Sequence, residues 1–264
     1  MKLGITATQI NVFDSRYYLI AKEHLKEVPE NLQYLLTEEG LYLPSSTHVL
    51  DIAYNKGKMM DEWLKAVGNN AKTVASIAAE KGTRGHLACE KLLNGEELTF
   101  DMVVEGDHYY LPPYYSIDEW SNIIKFKEFF EATGLTDMVA ESIVYNLELG
   151  YAGTADLICT IDGERWLIDF KFGNSVYESH FLQIESYARC LEGIDRVGVL
   201  HMNAKTRGER KGKIQGRGWQ LVEPSVDRDE LFNVWKSLLH IYKFKNGSET
   251  PKSISYPKKL KLWD

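Results

Sequence analysis

Three ionisable residues carry the sharpest chemical signal in this sequence: Asp156, Asp169 and Lys171. They flank Asp162-Gly163, a dipeptide that favours a two-residue hairpin turn because both central positions of such a turn need positive φ. With that turn Asp156 lies directly opposite Asp169, and a four-residue loop centred on the same turn keeps the register. Lys171 shares the face of Asp169, since strand side chains alternate. Opposed carboxylates repel, and a fold tolerates them best where a cation sits between them. Oxygen ligands suit hard ions, so Mg²⁺ or Mn²⁺, as one or two ions, is the expected cofactor. A lysine beside such an ion can orient or deprotonate an attacking water and stabilise charge on a phosphate. The plainer alternative is a surface hairpin with an Asp–Lys ion pair. The apolar flanks argue against it: Leu167, Ile168, Phe170 and Phe172 surround one aspartate, and Leu157 and Ile158 adjoin the other. Charges set into such a run belong at a cleft.

The elements that must position these groups follow from periodicity and punctuation. Residues 1–55 read as irregular, with a short strand or two and a turn at Leu43-Pro44-Ser45. Apolar residues at three- and four-residue spacing predict a helix from 56 through Met59, Met60, Trp63, Leu64 and Val67. A second helical run starts at Lys72 and reaches about Lys81. Gly82-Thr83-Arg84-Gly85 follows, then a helical stretch from His86 to Leu93 that Asn94-Gly95 stops. Pro112-Pro113 marks a loop. Ser116 with Glu119 three residues on makes a capping box for a helix to about Ala132, ended by Gly134. From residue 139 the period changes to strand, with segments at 139–149, 151–160 and 166–172. A helix over 180–191, a buried strand over 197–202, a strand over 218–222 and a helix from Asp227 to about Phe244 complete the pattern. One domain is expected over 1–264: a mainly helical N-terminal portion (1–135), a catalytic core (136–245) and a polar tail (246–264).

Gly153-Thr154-Ala155-Asp156, Asp169-Phe170-Lys171 and Gln183-Ile184-Glu185-Ser186-Tyr187, in that order, resemble the GxxD…DxK…QxxxY pattern of the PD-(D/E)XK nucleases. Gly82-Thr83-Arg84-Gly85-His86-Leu87-Ala88-Cys89-Glu90 is similar to the histidine-bearing upstream helix of their RecB-type exonuclease branch. Leu43-Pro44-Ser45-Ser46-Thr47 resembles, with low specificity, the segment opening many phage-type and mitochondrial genome-maintenance members. The resemblance implies an α/β restriction-endonuclease-like core, a mixed central β-sheet flanked by helices. It also implies roles. Asp156 and Asp169 would hold the metal, with His86 and the carbonyl of Phe170 as further ligands, and Lys171 would be the catalytic lysine. Glu141 would act in support or as ligand to a second ion. Gln183 and Tyr187, on one helical face, would support the lysine and contact the DNA backbone. Tyr187 is equally placed for packing, and Glu90 for an exposed helix face.

Composition sets outer limits. The chain has 264 residues, 44% hydrophobic and 26% charged, an ordinary globular composition with enough length for a core. Its formal charge of −7 excludes a generally basic nucleic-acid coat but not a local groove. Lys205, Arg207, Arg210, Lys211, Lys213 and Arg217 form one basic, glycine-rich run, equally readable as a phosphate-contacting arm or a solvated loop. The tail lysines Lys252, Lys258, Lys259 and Lys261 could add to its field. Trp219, Tyr177 and Phe172 are candidate base-stacking groups. Three scattered cysteines, Cys89, Cys159 and Cys190, exclude a disulfide framework, a zinc set and an iron–sulfur cluster. They point to a reducing, cytoplasmic compartment, and the resemblance points to a phage or bacterial origin. No signal peptide or membrane span is expected, and no GxxxxGK[ST] motor motif is present.

The expected activity is metal-dependent hydrolysis of DNA phosphodiesters, as an exonuclease leaving 5′-phosphates in recombination, repair or replication. The expected substrate is DNA that is single-stranded or has free ends. A separate recombinase, helicase or single-strand-binding protein is a candidate partner. The alternatives are a structure-specific endonuclease, a non-catalytic nucleic-acid binder of the same fold, and an unrelated metal hydrolase using the same cluster on a small substrate.

Overall fold

The computed structural model describes residues 7–12, 15–55, 57–106, 109–202 and 218–246. The fold is mixed α/β. Its centre is a five-stranded sheet in the order β4-β5-β6-β7-β8, formed by Thr136–Asn146, Tyr151–Ile161, Glu164–Lys171, Arg196–His201 and Gln220–Val222. β4, β5 and β6 are an antiparallel meander, β6 and β7 are parallel, and β8 returns antiparallel to β7. The parallel step is made by helix α5 (Glu178–Ala188), as such a crossover requires.

The β5–β6 hairpin turns on Asp162 (φ 51°) and Gly163 (φ 82°), and its register runs from Ile161↔Glu164 to Leu157↔Ile168. Asp156 and Asp169 are the next residues beyond that ladder. β4 begins and ends about three residues earlier than the alternation predicts.

Two layers of helix cover the sheet. On one face, Cys89 of α3 (Ala71–Leu93) and Phe126 and Phe129 of α4 (Ile117–Thr133) pack with Leu157, Ile168, Phe170 and Leu200. On the other, Ile184, Tyr187 and Ala188 of α5 pack with Val144, Ile158, Leu167 and Val197. Helix α6 (Arg228–Asn246) and helix α1 (Ser46–Ala53) form a further layer with α5 around Trp235, Val49 and Leu182. The short helix α2 is Gly57–Val67. The Ser116–Glu119 capping box is formed, and Gly134 closes α4 at φ 56°.

Two expectations need correction. The N-terminal stretch expected to be irregular with a short strand or two holds three strands: β1 (Ala7–Val12), β2 (Ser15–Ala21) and β3 (Gly40–Pro44) make an antiparallel sheet whose core of Tyr18, Ile20, Leu41 and Leu43 extends to Ala152 of β5. The helical part of the N-terminal portion therefore starts at Ser46. Helix α3 also does not break at Gly82–Gly85 but runs through 23 residues. Packing outweighs the roughly 1 kcal/mol that each glycine costs a helix.

Candidate metal centre

The site lies where the central sheet opens. In the β4–β5 ladder Ala140 pairs with Leu157 and Ser142 with Ala155, but Glu141 drops out. Its φ is 46°, a left-handed conformation that costs a non-glycine residue on the order of 1–3 kcal/mol and tends to mark function. By the register of its neighbours Glu141 faces Asp156, which in turn faces Asp169. Three carboxylates thus form a row across three adjacent strands.

Helix α3 brings a histidine to this row. His86 Nδ1 is 3.3 Å from Asp156 Oδ1 and 3.9 Å from Glu141 Oε1. Ligand atoms of His86, Glu141 and Asp156 all lie within 4.8 Å of one another. Asp156 Oδ2 accepts the backbone N–H of Phe170 at 2.6 Å. Asp169 Oδ2 is 2.6 Å from Lys171 Nζ. The side chain of Asp169 is 4% exposed, whereas His86, Glu141 and Lys171 are 28%, 30% and 21% exposed, so the group is open on one side.

Electrostatics divides the carboxylates. Burial raises Asp156, but His86, Lys171 and the Phe170 N–H outweigh it and hold its pKa below the usual value. Burial pushes Asp169 up to about 6, with Lys171 opposing and Asp156 adding to the rise. Burial and the Asp156 charge push Glu141 up to about 7. Burial disfavours charge on His86, yet the adjoining Asp156 reverses the balance and raises its pKa. Two carboxylates thus resist ionisation, through burial first and the neighbouring Asp156 charge second, beside one that stays ionised.

Two glycines let helices approach closely. A Cβ on Gly85 would sit 2.6 Å from the Phe172 ring, so glycine there seats α3 on the end of β6, one residue before His86. The rings of Phe170 and Phe172 flank His86 at 5.9 and 5.5 Å. A Cβ on Gly153 would fall 2.0 Å from Tyr187 Cε1, which binds α5 to β5. Behind this contact Gln183 Nε2 donates to Tyr187 Oη at 3.0 Å, and Thr47 Oγ1 lies 3.4 Å from the same oxygen. Burial holds the Tyr187 phenol far above its ordinary pKa. Ser46 Oγ meets Ser186 Oγ at 2.6 Å and accepts from Trp235 Nε1 at 3.0 Å. The Leu43–Thr47 segment is therefore an anchor for α5. Arg84 is a second anchor. It donates to the carbonyls of Pro112 and Tyr114, each at 2.7 Å, and its Nε is 3.0 Å from Glu119 Oε1.

The structure thus gathers His86, Glu141, Asp156, Asp169 and Lys171. Glu141, rather than Asp169, completes the tightest trio. Phe170 contributes its backbone N–H directly. Tyr187 is buried, and Gln183 donates to its hydroxyl. Glu90, one turn beyond His86, raises the pKa of Glu141 through its charge. Among the stacking candidates, Trp219 packs edge-on against Phe129 at 5.1 Å, and Phe172 lies against Gly85 and His86. Tyr177 stays 49% exposed. Arg207, Arg210, Lys211, Lys213 and Arg217, with Lys205 and the tail lysines, lie outside the described residues. Tyr18, whose hydroxyl is 2.7 Å from Thr154 Oγ1, and His201, opposite Lys171 on β7, border the site with no motif to announce them.

No protein-family model matches this chain, and no curated protein is significantly similar to it. Among solved structures, the crystal structure of SSO0001 is similar over 47% of this chain and 59% of its own, at 14% identity and a TM-score of 0.28, a likeness too low to argue from. No helix among the described residues is long and apolar enough to cross a membrane.

Proposed function

We propose that this protein is a divalent-metal-dependent nuclease that hydrolyses DNA phosphodiesters, acting as an exonuclease on free ends. The observation that carries this reading is the Glu141–Asp156–Asp169 row, with His86 on one flank and Lys171 on the other. The donor set fits Mg²⁺ or Mn²⁺: oxygens dominate, one imidazole joins them, and the pKa values of Glu141 and Asp169, raised first by burial and then by the charge of Asp156, mark carboxylates that a cation would help to ionise. His86, Glu141 and Asp156 would hold the ion, with Asp169 alongside. A divalent ion there supplies Lewis acidity toward a phosphoryl oxygen and offsets charge on the leaving oxygen.

The chain's own groups do the rest. Lys171, paired with the buried Asp169, presents a fixed ammonium to the reacting phosphate and takes part in proton transfer to or from the attacking water. His86 and Lys171, with the Phe170 N–H, keep Asp156 ionised, and the N–H orients it. The similarity of the GxxD, DxK, QxxxY and histidine-helix motifs to the RecB-type PD-(D/E)XK exonucleases supports the same assignment, and with it 5′-phosphate products.

End-labelled linear DNA and covalently closed circles, single- and double-stranded, incubated with Mg²⁺, Mn²⁺ or EDTA, test this. Linear DNA should be degraded with either ion, circles largely spared, and EDTA should stop the reaction. Equal rates on circular and linear strands would make the enzyme an endonuclease. Inertness toward all forms with both ions would remove the proposal.

A further inference from the structure

We propose that Tyr177, braced by His180 in the connection between Lys171 and α5, is a stacking seat for an unpaired nucleobase, so that the bound strand is single-stranded as it leaves the candidate metal centre. This rests on the nuclease reading and specifies its substrate. Tyr177 immediately precedes α5, in the connection that leaves the Lys171 end of β6. That connection is held at two points. Near its start the Gly173 carbonyl lies 2.8 Å from Nε2 of His201, the residue paired with Lys171 across β6 and β7. At its end the Tyr177 N–H donates to His180 Nδ1 at 3.3 Å, and the two rings meet edge to face at 5.4 Å and 77°.

That hydrogen bond occupies Nδ1 as an acceptor, so a neutral His180 carries its proton on Nε2. Burial, then the charges of Lys171 and His201, hold His180 neutral, with its pKa down to about 3. The brace is therefore uncharged at working pH, and His180 lies within the field of the lysine. The Tyr177 ring is nonetheless 49% exposed. A large ring on a clamped backbone, open to solvent in the connection that follows Lys171, suits the face of a base. Tyrosine loses little conformational freedom on contact, and stacking accepts any base. Inside a duplex each base face is already covered by its neighbours, so away from a blunt end only an unpaired nucleotide can use this seat.

The test uses the full chain, with Ca²⁺ to hold back hydrolysis. Binding is measured for a fluorescent single strand containing 2-aminopurine and for a duplex of the same sequence with hairpin-closed ends. Tyr177→Ala should weaken single-strand binding on the order of tenfold and abolish the 2-aminopurine quenching seen with wild type. Tyr177→Phe should retain both, and duplex affinity should be unchanged in either variant. If Tyr177→Ala binds the single strand like wild type, or loses single strand and duplex equally, the seat is overturned while the nuclease reading stands. Wild type that binds neither DNA with Ca²⁺, Mg²⁺ or Mn²⁺ would overturn both.

Discussion

The backbone N–H of Phe170 donates to Asp156 Oδ2 at 2.6 Å, so the middle residue of the Asp169-Phe170-Lys171 segment fixes the carboxylate on the neighbouring strand. One side of Asp156 is thereby committed to structure, and Oδ1, facing His86 at 3.3 Å, is the oxygen left for an ion.

Asp156→Asn should lose this division of labour, because an amide carries no charge to offset a cation. With wild type, saturating Mn²⁺ should raise Tm by mass action, worth about 2.7 kcal/mol at a hundred times Kd. Differential scanning fluorimetry should show that shift vanish in Asp156→Asn, together with nuclease activity. A variant with wild-type activity would exclude Asp156 as a ligand.

The raised carboxylates give a pH signature. An acid whose folded-state pKa exceeds its unfolded value stabilises the fold below the unfolded value and loses that contribution as pH rises through the folded one. Glu141 and Asp169, at about 7 and 6, should therefore make the protein in EDTA less stable at pH 8 than at pH 5 in this respect. His86, also raised, adds in the same direction. Chemical denaturation at the two pH values measures the difference. Glu141→Gln should shrink it and raise stability at pH 8, and an unchanged pH slope in that variant would contradict the assignment.

Lys171→Ala separates chemistry from binding. If the ammonium acts at the reacting phosphate, the single-turnover rate should fall about 10²-fold or more. DNA affinity in Ca²⁺ should change little. A normal rate with weakened affinity would make Lys171 a phosphate anchor.

Two glycines of α3 should respond oppositely to alanine. Gly82 has nothing within 4 Å of an added Cβ, so Gly82→Ala should stabilise the protein by about 0.5–1 kcal/mol through helix propensity. Gly85→Ala drives a methyl into the Phe172 ring at 2.6 Å and should destabilise by about 1–3 kcal/mol. Urea titrations of both variants read the two signs directly.

The sequence was most informative where the cause is local. Asp162-Gly163 encodes its turn, Ser116 and Glu119 encode their cap, and the hairpin register that carries Asp156 toward Asp169 follows from the turn alone. What escaped it depends on partners distant in the chain. Gly82 and Gly85 look like a helix break until Phe172 is seen against Gly85. Glu141 is marked in the sequence by the family resemblance alone, and what brings it to His86 and Asp156 is a left-handed residue inside a strand, which no periodicity foretells. Tyr18 reaches Thr154 across 136 residues of sequence, and the full β1–β3 sheet was obscured because its strands are short and share their core with Ala152 of β5.

The Ser46–Ser186–Trp235 bridge also bears on how the molecule comes into being. Its hydroxyls and indole are contributed by residues 140 and 189 positions apart along the chain. A ribosome works from the N-terminus, so Ser46 and Ser186 emerge well before the indole that closes the bridge. Until α6 arrives, the nascent chain can join Ser46 to Ser186 but lacks the indole hydrogen bond that completes the bridge. Non-local closures of this kind are slow, and the last turn of assembly is thus reserved for a tryptophan remote from the candidate metal centre.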